Sequence, residues 1–430
     1  MRKTWKRLIA VALVGLMAVG LTACDNSPAP SGDGGDGGIS GDVDALLWLS
    51  SYPQYADEMM AEFEKKYPNI SVDLNMCAGD TLAQNYEPRI ASGQMPDVIS
   101  VNYDEWSMTN ADKGYFADIG GTKAFQEQRK ELQEQLTSPG GVKYGVAYGV
   151  ASMVIYYNKD LFEQAGITEI PENYTEFIAV CQKLKDAGIT PIAWTGGFPN
   201  LIQHGIVSSG IANNLYRVDK GISTEMLTTN YDYNVEGWID IFEKMVEMRD
   251  KGFFNEGYMS TDNAESIRLF SEGEVAMTWN GTWSAGDFLT LGDHVDCFIP
   301  PMNDEGNPLY GIFSSETGFG MGKGSEDNEA AKAFFEFLAY DNYVNFQNTT
   351  GTIPTFENME GCKVDERLQK TVDEIVALDG NSPLAFQVLP TAVSTASMTF
   401  IQDVLTGTKQ PSDIGSVFNP IQQEYMSSKG

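Results

Sequence analysis

The feature of this sequence that most constrains its fold is the alternation of short apolar runs with amphipathic helical patterns. Residues 45–49, 97–101 and 274–279 are short, mostly apolar runs, which are typical of buried strands. Between such runs, apolar side chains recur every three or four residues, as they do around Phe63 and Phe177. Strands that alternate with helices predict an α/β fold with mostly parallel sheets.

One segment shows both ends of a predicted helix. Asn173 precedes the helical pattern and can cap it, with Glu176 three residues later, and Gly188 can end the helix in a left-handed conformation. The apolar stripe comprises Phe177, Val180, Cys181 and Leu184. We therefore expect Cys181 to be a buried structural thiol. The disulfide state of the cysteines that follow Cys24 stays open: Cys77, Cys181, Cys297 and Cys362.

The first 42 residues predict an export signal and a linker. Four basic residues at positions 1–7 precede an uncharged, mostly apolar run at 8–23, which is too short to span a membrane comfortably. Residues 1–23 thus predict a lipoprotein signal peptide, because Leu-Thr-Ala-Cys at its end resembles a bacterial lipobox with Cys24 as the lipidated residue. Residues 24–42, rich in Gly, Ser, Pro and Asp, predict a flexible linker. We expect a lipid anchor on the extracellular face of the bacterial plasma membrane.

The charge balance limits the partners of the chain. Acidic residues outnumber basic ones 60 to 28, which gives a formal net charge of −32. Such a surface repels phosphate, so nucleic acid and anionic lipid headgroups are poor partners. The chain has two histidines, His204 and His294, which argues against His-based catalysis or a multi-His metal site. We expect neither a metal nor a cofactor.

Polar and aromatic side chains follow the predicted strands, where open α/β sheets hold their ligands. An aromatic ring can pack on the apolar face of a sugar, and carboxylate, amide and hydroxyl groups can bind its hydroxyls. This pattern predicts a carbohydrate site. The candidate ligand-binding residues are Ser50, Ser51, Tyr52, Asn102, Tyr103, Asp104, Trp106, Tyr148, Trp194, Asn280, Trp283 and Glu316.

Several of these residues have a structural alternative. Trp283 can be a sugar platform or a support for the core, and Asp104 can bind hydroxyls or cap a helix. Tyr148 can face the pocket or brace it. Trp48 and Trp238 are expected in the core, the first because of its apolar run and the second because of its helical spacing.

Four groups of short motifs occur in a fixed order along the chain. They are FEKKYP at 63–68, IASG with PDVI at 90–99, GVAY with YYNKDLF at 145–162, and FSEGEVAM with NGTW at 270–283. Each is weak alone, but in this order behind a lipobox they resemble the extracellular solute-binding proteins of ATP-driven importers, family 1. The resemblance is to the carbohydrate-binding group that includes maltose-binding protein, and it covers nearly all of residues 45–425.

The resemblance implies a periplasmic-binding-protein-like fold, with two α/β lobes joined by a hinge of several crossings and the ligand in the cleft. We place the crossings near residues 148–152, 312–316 and 359–364. Lobe one would then comprise residues 43–149 and 314–360, and lobe two residues 150–313 and 361–430. A ligand that contacts both lobes favours the closed state, which a membrane permease would recognise.

Three classes of function fit these features. We favour a monomeric, non-enzymatic binding lipoprotein that delivers a sugar or oligosaccharide to the permease subunits of an ABC transporter. The alternative is a binding protein for a cationic solute such as a polyamine, because the chain is acidic and aromatic boxes also hold amines. A secreted glycosidase is the third class, since carboxylates are plentiful, although no local motif indicates a catalytic pair.

Overall fold

A computed structural model describes residues 38–77, 82–357 and 359–429 of the chain, except the side chain of Ser51. The predicted signal peptide, Cys24 and most of the predicted linker lie outside these ranges. The strands within them are β1 Gly41–Leu47, β2 Ile70–Met76, β3 Val98–Val101, β4 Val146–Ala147, β5 Val150–Ala151, β6 Met153–Asn158, β7 Thr190–Ala193, β8 Val275–Gly281, β9 Val295–Phe298, β10 Gly311–Ile312, β11 Ser314–Ser315, β12 Gly318–Met321 and β13 Asn381–Ser382.

Helices alternate with these strands along the described chain. The α-helices are α1 Pro53–Lys66, α2 Leu82–Ser92, α3 Glu105–Asp112, α4 Lys123–Glu127, α5 Lys130–Gln135, α6 Lys159–Gln164, α7 Tyr174–Asp186, α8 Pro199–Ile202, α9 Ser208–Gly210, α10 Ile222–Thr228, α11 Glu236–Asp250, α12 Asn263–Ser271, α13 Ala285–Phe288, α14 Glu329–Glu336, α15 Tyr343–Thr350, α16 Glu366–Ala377, α17 Ala385–Val388, α18 Thr391–Thr406 and α19 Ile414–Lys429. The π-helical segments are Gln203–Val207, Ile211–Tyr216 and Phe337–Asp341. Short 3₁₀ turns lie at Leu49–Ser51, Tyr258–Ser260, Thr282–Ser284, Leu289–Leu291, Ser325–Asp327 and Pro411–Asp413.

Two larger sheets organise the described chain. The first has the strand order β2-β1-β3-β12-β4, and the second has the order β7-β8-β6-β9. Two short ladders pair β11 with β5 and β10 with β13. The strands β1, β2 and β3 run parallel, as do β7 and β8, whereas β12 and β6 run antiparallel to both of their neighbours.

The predicted α/β fold is confirmed, but the sheets are mixed rather than mostly parallel. The antiparallel strands are those next to the short ladder of β5 and β11, where two residues separate β4 from β5 and β11 from β12. Parallel neighbours need a long crossover, usually a helix. These strands instead enter their sheets directly from the short ladder, so no helix turns the chain to run parallel with its neighbours.

Helices bury their apolar stripes against each sheet. In α7 the side chain of Asn173 accepts a 3.0 Å hydrogen bond from the Glu176 backbone nitrogen, and Gly188 has φ 78°, so both predicted ends are confirmed. Cys181 and Trp238 lie fully buried in the cluster that packs on the second sheet, as expected. Among the described residues, no helix is both long enough and apolar enough to cross a bilayer.

The close approach of β12 to β4 gives a test of this packing. A Cβ at Gly318 would overlap the carbonyl oxygen of Val146, whereas a Cβ at Gly121 would contact no atom within 4 Å. Overpacking of a filled interior typically costs about 1–3 kcal/mol. We expect Gly318→Ala to lower the free energy of unfolding by about that amount in urea titrations. Gly121→Ala should change it by less than about 0.5 kcal/mol, and equal losses in the two variants would contradict this account of β12.

Candidate ligand-binding cavity

A cavity of about 300 Å³ lies against the ladder formed by β5 and β11. Its lining combines segments that are far apart in the sequence and that follow strands, belong to the ladder or lie in later helices. The lining residues are Trp48, Tyr52, Asn102, Ala151, His204, Trp283, Ser315, Glu316, Thr317, Leu384, Phe386 and Gln387. Four of the candidate residues are therefore brought together here: Tyr52, Asn102, Trp283 and Glu316.

Hydrogen bonds hold the later segments onto the ladder. Gln387 is 2% exposed; its amide donates to the Ser315 carbonyl at 3.2 Å, and its Oε1 accepts from the Ser314 hydroxyl. The Thr282 hydroxyl donates to the carbonyl of Val150 at 3.0 Å and accepts from the backbone nitrogen of Ser152 at 3.0 Å. These bonds fix α17 and the turn after β8 to the same four-residue ladder.

Three aromatic side chains form one wall of the cavity. The ring of His204 lies 6.1 Å from that of Trp283 and 5.0 Å from that of Phe386. Trp283 is partly buried in the turn Thr282–Ser284, and its six-membered ring occupies the space that a Cβ of Gly281 would need. Glycine at the end of β8 therefore allows the indole to fold back over the backbone.

A second group of lining residues comes from the segments that follow β1 and β3. The rings of Trp48 and Tyr52 meet edge to face at 5.4 Å, and Trp48 also packs on Tyr148 at 5.0 Å. The side-chain oxygen of Asn102 accepts a 2.8 Å hydrogen bond from the hydroxyl of Thr317, which follows β11. These segments thus offer two aromatic rings together with an amide whose position is already set.

One carboxyl group among the described residues, that of Glu316, lines the cavity. The Oε1 atom of Glu316 accepts a 2.8 Å hydrogen bond from the Thr352 hydroxyl. Burial raises the pKa of Glu316 to about 7, and the Thr352 hydrogen bond opposes part of that rise. Burial, together with the carboxylates of Glu316 and Asp287, also raises the pKa of the Tyr52 hydroxyl. Burial lowers the pKa of His204 to about 4, so its ring is uncharged at neutral pH.

Some predicted residues lie beside the cavity but do not line it. Tyr148 is 1% exposed and packs its ring 3.6 Å from that of Phe346, so it braces the wall from behind. Trp194 stacks on Phe254 at 4.3 Å with 9° between the planes. Asn280 is fully buried, and its amide donates to the side-chain oxygen of Asn263 at 3.0 Å.

The residues around α3 point to other parts of the surface. The Asp104 carboxylate caps α3 by accepting a 2.7 Å hydrogen bond from the Ser107 backbone nitrogen. Tyr103 and Trp106 line two separate cavities of about 490 and 420 Å³. Ser50 is exposed outside the cavity, and the side chain of Ser51 is outside the described part of the structure.

The structure adds residues that the sequence did not single out. Trp48 was expected in the core, but the structure leaves part of it facing the cavity. Phe386 and Gln387 belong to the four-residue helix α17, which is too short to show a helical repeat of apolar residues in the sequence. His204 was not among the candidate ligand-binding residues, and its ring neighbours Trp283 and Phe386 come from distant parts of the sequence. In the described ranges, no three acidic, histidine or cysteine side chains gather in a way that could hold a metal ion.

Comparisons with known proteins agree with this fold. The profile of the family described as "Bacterial extracellular solute-binding protein" matches residues 49–341. The maltodextrin-binding protein MdxE of Bacillus subtilis (strain 168) is 24% identical over 388 residues, which are 86% of this chain and 85% of that protein.

Two solved structures share the same architecture. A chitin oligosaccharide binding protein superposes with a TM-score of 0.75 at 21% identity, covering 90% of this chain and 99% of its own. RafE in complex with raffinose superposes with a TM-score of 0.72 at 19% identity, covering 89% of this chain and all of its own. The periplasmic-binding-protein-like fold is thereby confirmed.

The family match spans more than half of the chain and includes all four motif groups in full, from residue 63 to residue 283. It confirms the resemblance drawn from those motifs. The chain belongs to the bacterial extracellular solute-binding protein family, whose members are non-enzymatic receptors of ABC transporters.

Proposed function

We propose that this protein is a lipid-anchored receptor that binds a sugar or oligosaccharide in the cavity and delivers it to the permease of an ABC transporter. The supporting observation is the cavity itself, in which aromatic rings and amide, hydroxyl and carboxyl groups line one space beside the ladder of β5 and β11. Rings cover the apolar faces of sugars, and the polar groups bind their hydroxyls. Relatives named for chitin oligosaccharide, raffinose and maltodextrin support this ligand class.

The proposal includes two lobes, with residues 43–149 and 314–360 in one and residues 150–313 and 361–430 in the other. Contacts at the outer edge of the proposed cleft support a closed arrangement. The Glu105 carboxylate accepts a 3.2 Å hydrogen bond from the Thr391 backbone nitrogen and forms a 3.3 Å ion pair with Lys429. Glu105 lies in the first proposed lobe, whereas Thr391 and Lys429 lie in the second.

The direct test of the ligand class is a glycan array probed with the purified protein, followed by titration calorimetry on each sugar that binds. We expect at least one oligosaccharide to bind with a micromolar or tighter Kd and to raise the melting temperature through mass action. A protein that binds no glycan on a broad array but binds another class of solute would refute the sugar assignment.

Trp283 gives a prediction at the level of one side chain. If a sugar covers about 80 Å² of its ring, burial at about 25 cal/mol per Å² contributes about 2 kcal/mol, or about thirtyfold in Kd. We expect Trp283→Ala to weaken binding of the cognate sugar by that factor and Trp283→Phe to retain much of it. Phe198→Ala removes an exposed ring outside the cavity and should leave Kd unchanged. A normally melting Trp283→Ala protein with unchanged Kd would remove Trp283 from the site.

Closure of the lobes can be measured by small-angle scattering. We expect the cognate sugar to reduce the radius of gyration, because ligand that contacts both lobes favours the closed state. Glu105→Ala removes the edge contacts without touching the cavity and should weaken sugar binding by a few fold, since exposed ion pairs contribute little. Tight binding by a protein that is open both with and without sugar would contradict closure.

The lipid anchor is tested at Cys24. We expect Cys24→Ala to move the protein from the membrane fraction to the medium, or to leave its signal peptide uncleaved, because one or more acyl chains on that cysteine would anchor it. Mass spectrometry of the membrane-bound protein should show the added lipid in the unsubstituted chain. Identical fractionation and mass in both proteins would contradict lipidation.

A further inference from the structure

The carboxyl group of Glu316 lies in the cavity without a cationic partner. One of its oxygens accepts the hydrogen bond from Thr352, and no second hydrogen bond to the carboxyl group is found within the described residues. None of the described residues that line the cavity is a lysine or an arginine. A carboxylate removed from water without a partner is costly, so this carboxyl group must either hold a proton or pair with a cation that the cavity lining does not supply.

The groups around Glu316 cannot supply that charge. Burial raises the pKa of the Tyr52 and Tyr343 hydroxyls, and the negative charge of Glu316 raises it further, so both hydroxyls remain protonated. The ring of His204, which lines the same cavity, is neutral, since burial lowers its pKa to about 4. The carboxylate of Asp287 adds further negative potential near Tyr52. Each of these four titratable groups is thus neutral or acidic at neutral pH.

The aromatic walls complete a site for a cation. Trp48, Tyr52 and Trp283 line the same small cavity as Glu316, and the faces of such rings attract ammonium groups within about 6 Å. The overall charge of −32 would concentrate cations near the surface. A neutral sugar would use the rings and hydroxyl partners but would leave the charge of Glu316 unbalanced.

We propose that the ligand carries a primary ammonium group that binds the open oxygen of Glu316, and hence that the receptor selects an amino sugar over its neutral counterparts. This inference rests on the proposed function and narrows its ligand class. Burial raises the pKa of Glu316 to about 7, so a part of the empty protein holds a proton on this carboxyl group near neutral pH. An ammonium ligand displaces that proton to solvent as the ion pair forms.

The test uses pairs of sugars that differ in N-acetylation alone, measured by titration calorimetry at pH 7 and fixed salt. The pairs are glucosamine with N-acetylglucosamine, galactosamine with N-acetylgalactosamine, and the β-1,4 glucosamine disaccharide with N,N′-diacetylchitobiose. Spermidine serves as an amine without a sugar. We expect the aminated member of at least one pair to bind tenfold or more tightly than its acetylated partner, as a charge-assisted hydrogen bond would produce.

Two matched variants separate direct contact from the general acidity of the protein. Glu316→Gln keeps an acceptor for Thr352 and should abolish the tenfold preference, so that the aminated and acetylated members of each pair bind with similar Kd. Asp287→Asn removes the same unit of charge from an exposed position outside the cavity lining and should keep the preference. Should Glu316→Gln fail to fold, the ratio within each pair of the unsubstituted protein still decides the matter.

The outcomes distinguish this inference from the proposed function. If acetylated sugars bind as well as or better than aminated ones, or if Glu316→Gln keeps the preference, ammonium recognition is overturned and the sugar receptor stands. If spermidine binds in a Glu316-dependent way and no sugar binds, ammonium recognition stands and the sugar assignment falls. If none of these sugars and amines binds, the inference is overturned. The glycan array remains an independent test of the proposed function.

Discussion

The antiparallel ladder of β5 and β11 is the constraint on which the cavity depends. It contains four residues, yet the backbone nitrogen of Glu316 next to it donates to the Gly149 carbonyl at 3.0 Å, and Val150 donates to the carbonyl of Ile353 at 3.0 Å. Thr282 and Gln387 join the same backbone through their side chains. Segments far apart in the sequence therefore meet at one place, and each brings a side chain to the cavity. A rotation of a few degrees at this ladder would change the separation of the two walls.

The architecture could be predicted where burial leaves a pattern. The strands β3 and β8 are mostly apolar runs because they are buried along their whole length, as residues 45–47 are at the end of β1. Helix α7 carries its cap in Asn173. The direction of a strand leaves no pattern in the sequence, because an apolar run does not show which strand will lie beside it or whether the two will run parallel. The two-residue strands β4, β5, β10, β11 and β13 are too short to show any period. The mixed sheets and the ladder were therefore beyond sequence reasoning.

The candidate site was predicted in part for a related reason. Tyr52, Asn102 and Trp283 follow strands, and the carboxyl ends of strands in open sheets converge on ligand sites. The same rule also selected Trp194, which the fold turns inward onto Phe254. A strand end specifies a place and not the direction of the side chain.

Residues contributed by later helices could not be found in this way. Phe386 and Gln387 lie about seventy residues beyond β11 in the chain and reach the cavity through tertiary packing alone. Glu316 was selected because it lies next to a predicted crossing, whereas its isolation from basic side chains becomes visible only when every wall of the cavity is known. The chemistry of the site thus depends more on the assembled lining than on any one motif.

The glycine before the Trp283 turn has a consequence for how this wall can vary. The six-membered ring of Trp283 fills the volume that a side chain at Gly281 would occupy, so the two positions share one space. A larger residue at position 281 is tolerable once the ring is gone, and a ring at position 283 is tolerable while position 281 has no side chain. The effects of substitutions at the two positions should therefore be non-additive. Homologous receptors that replace the tryptophan with a small residue are free to lose the glycine, so the two changes would be inherited as a coupled pair.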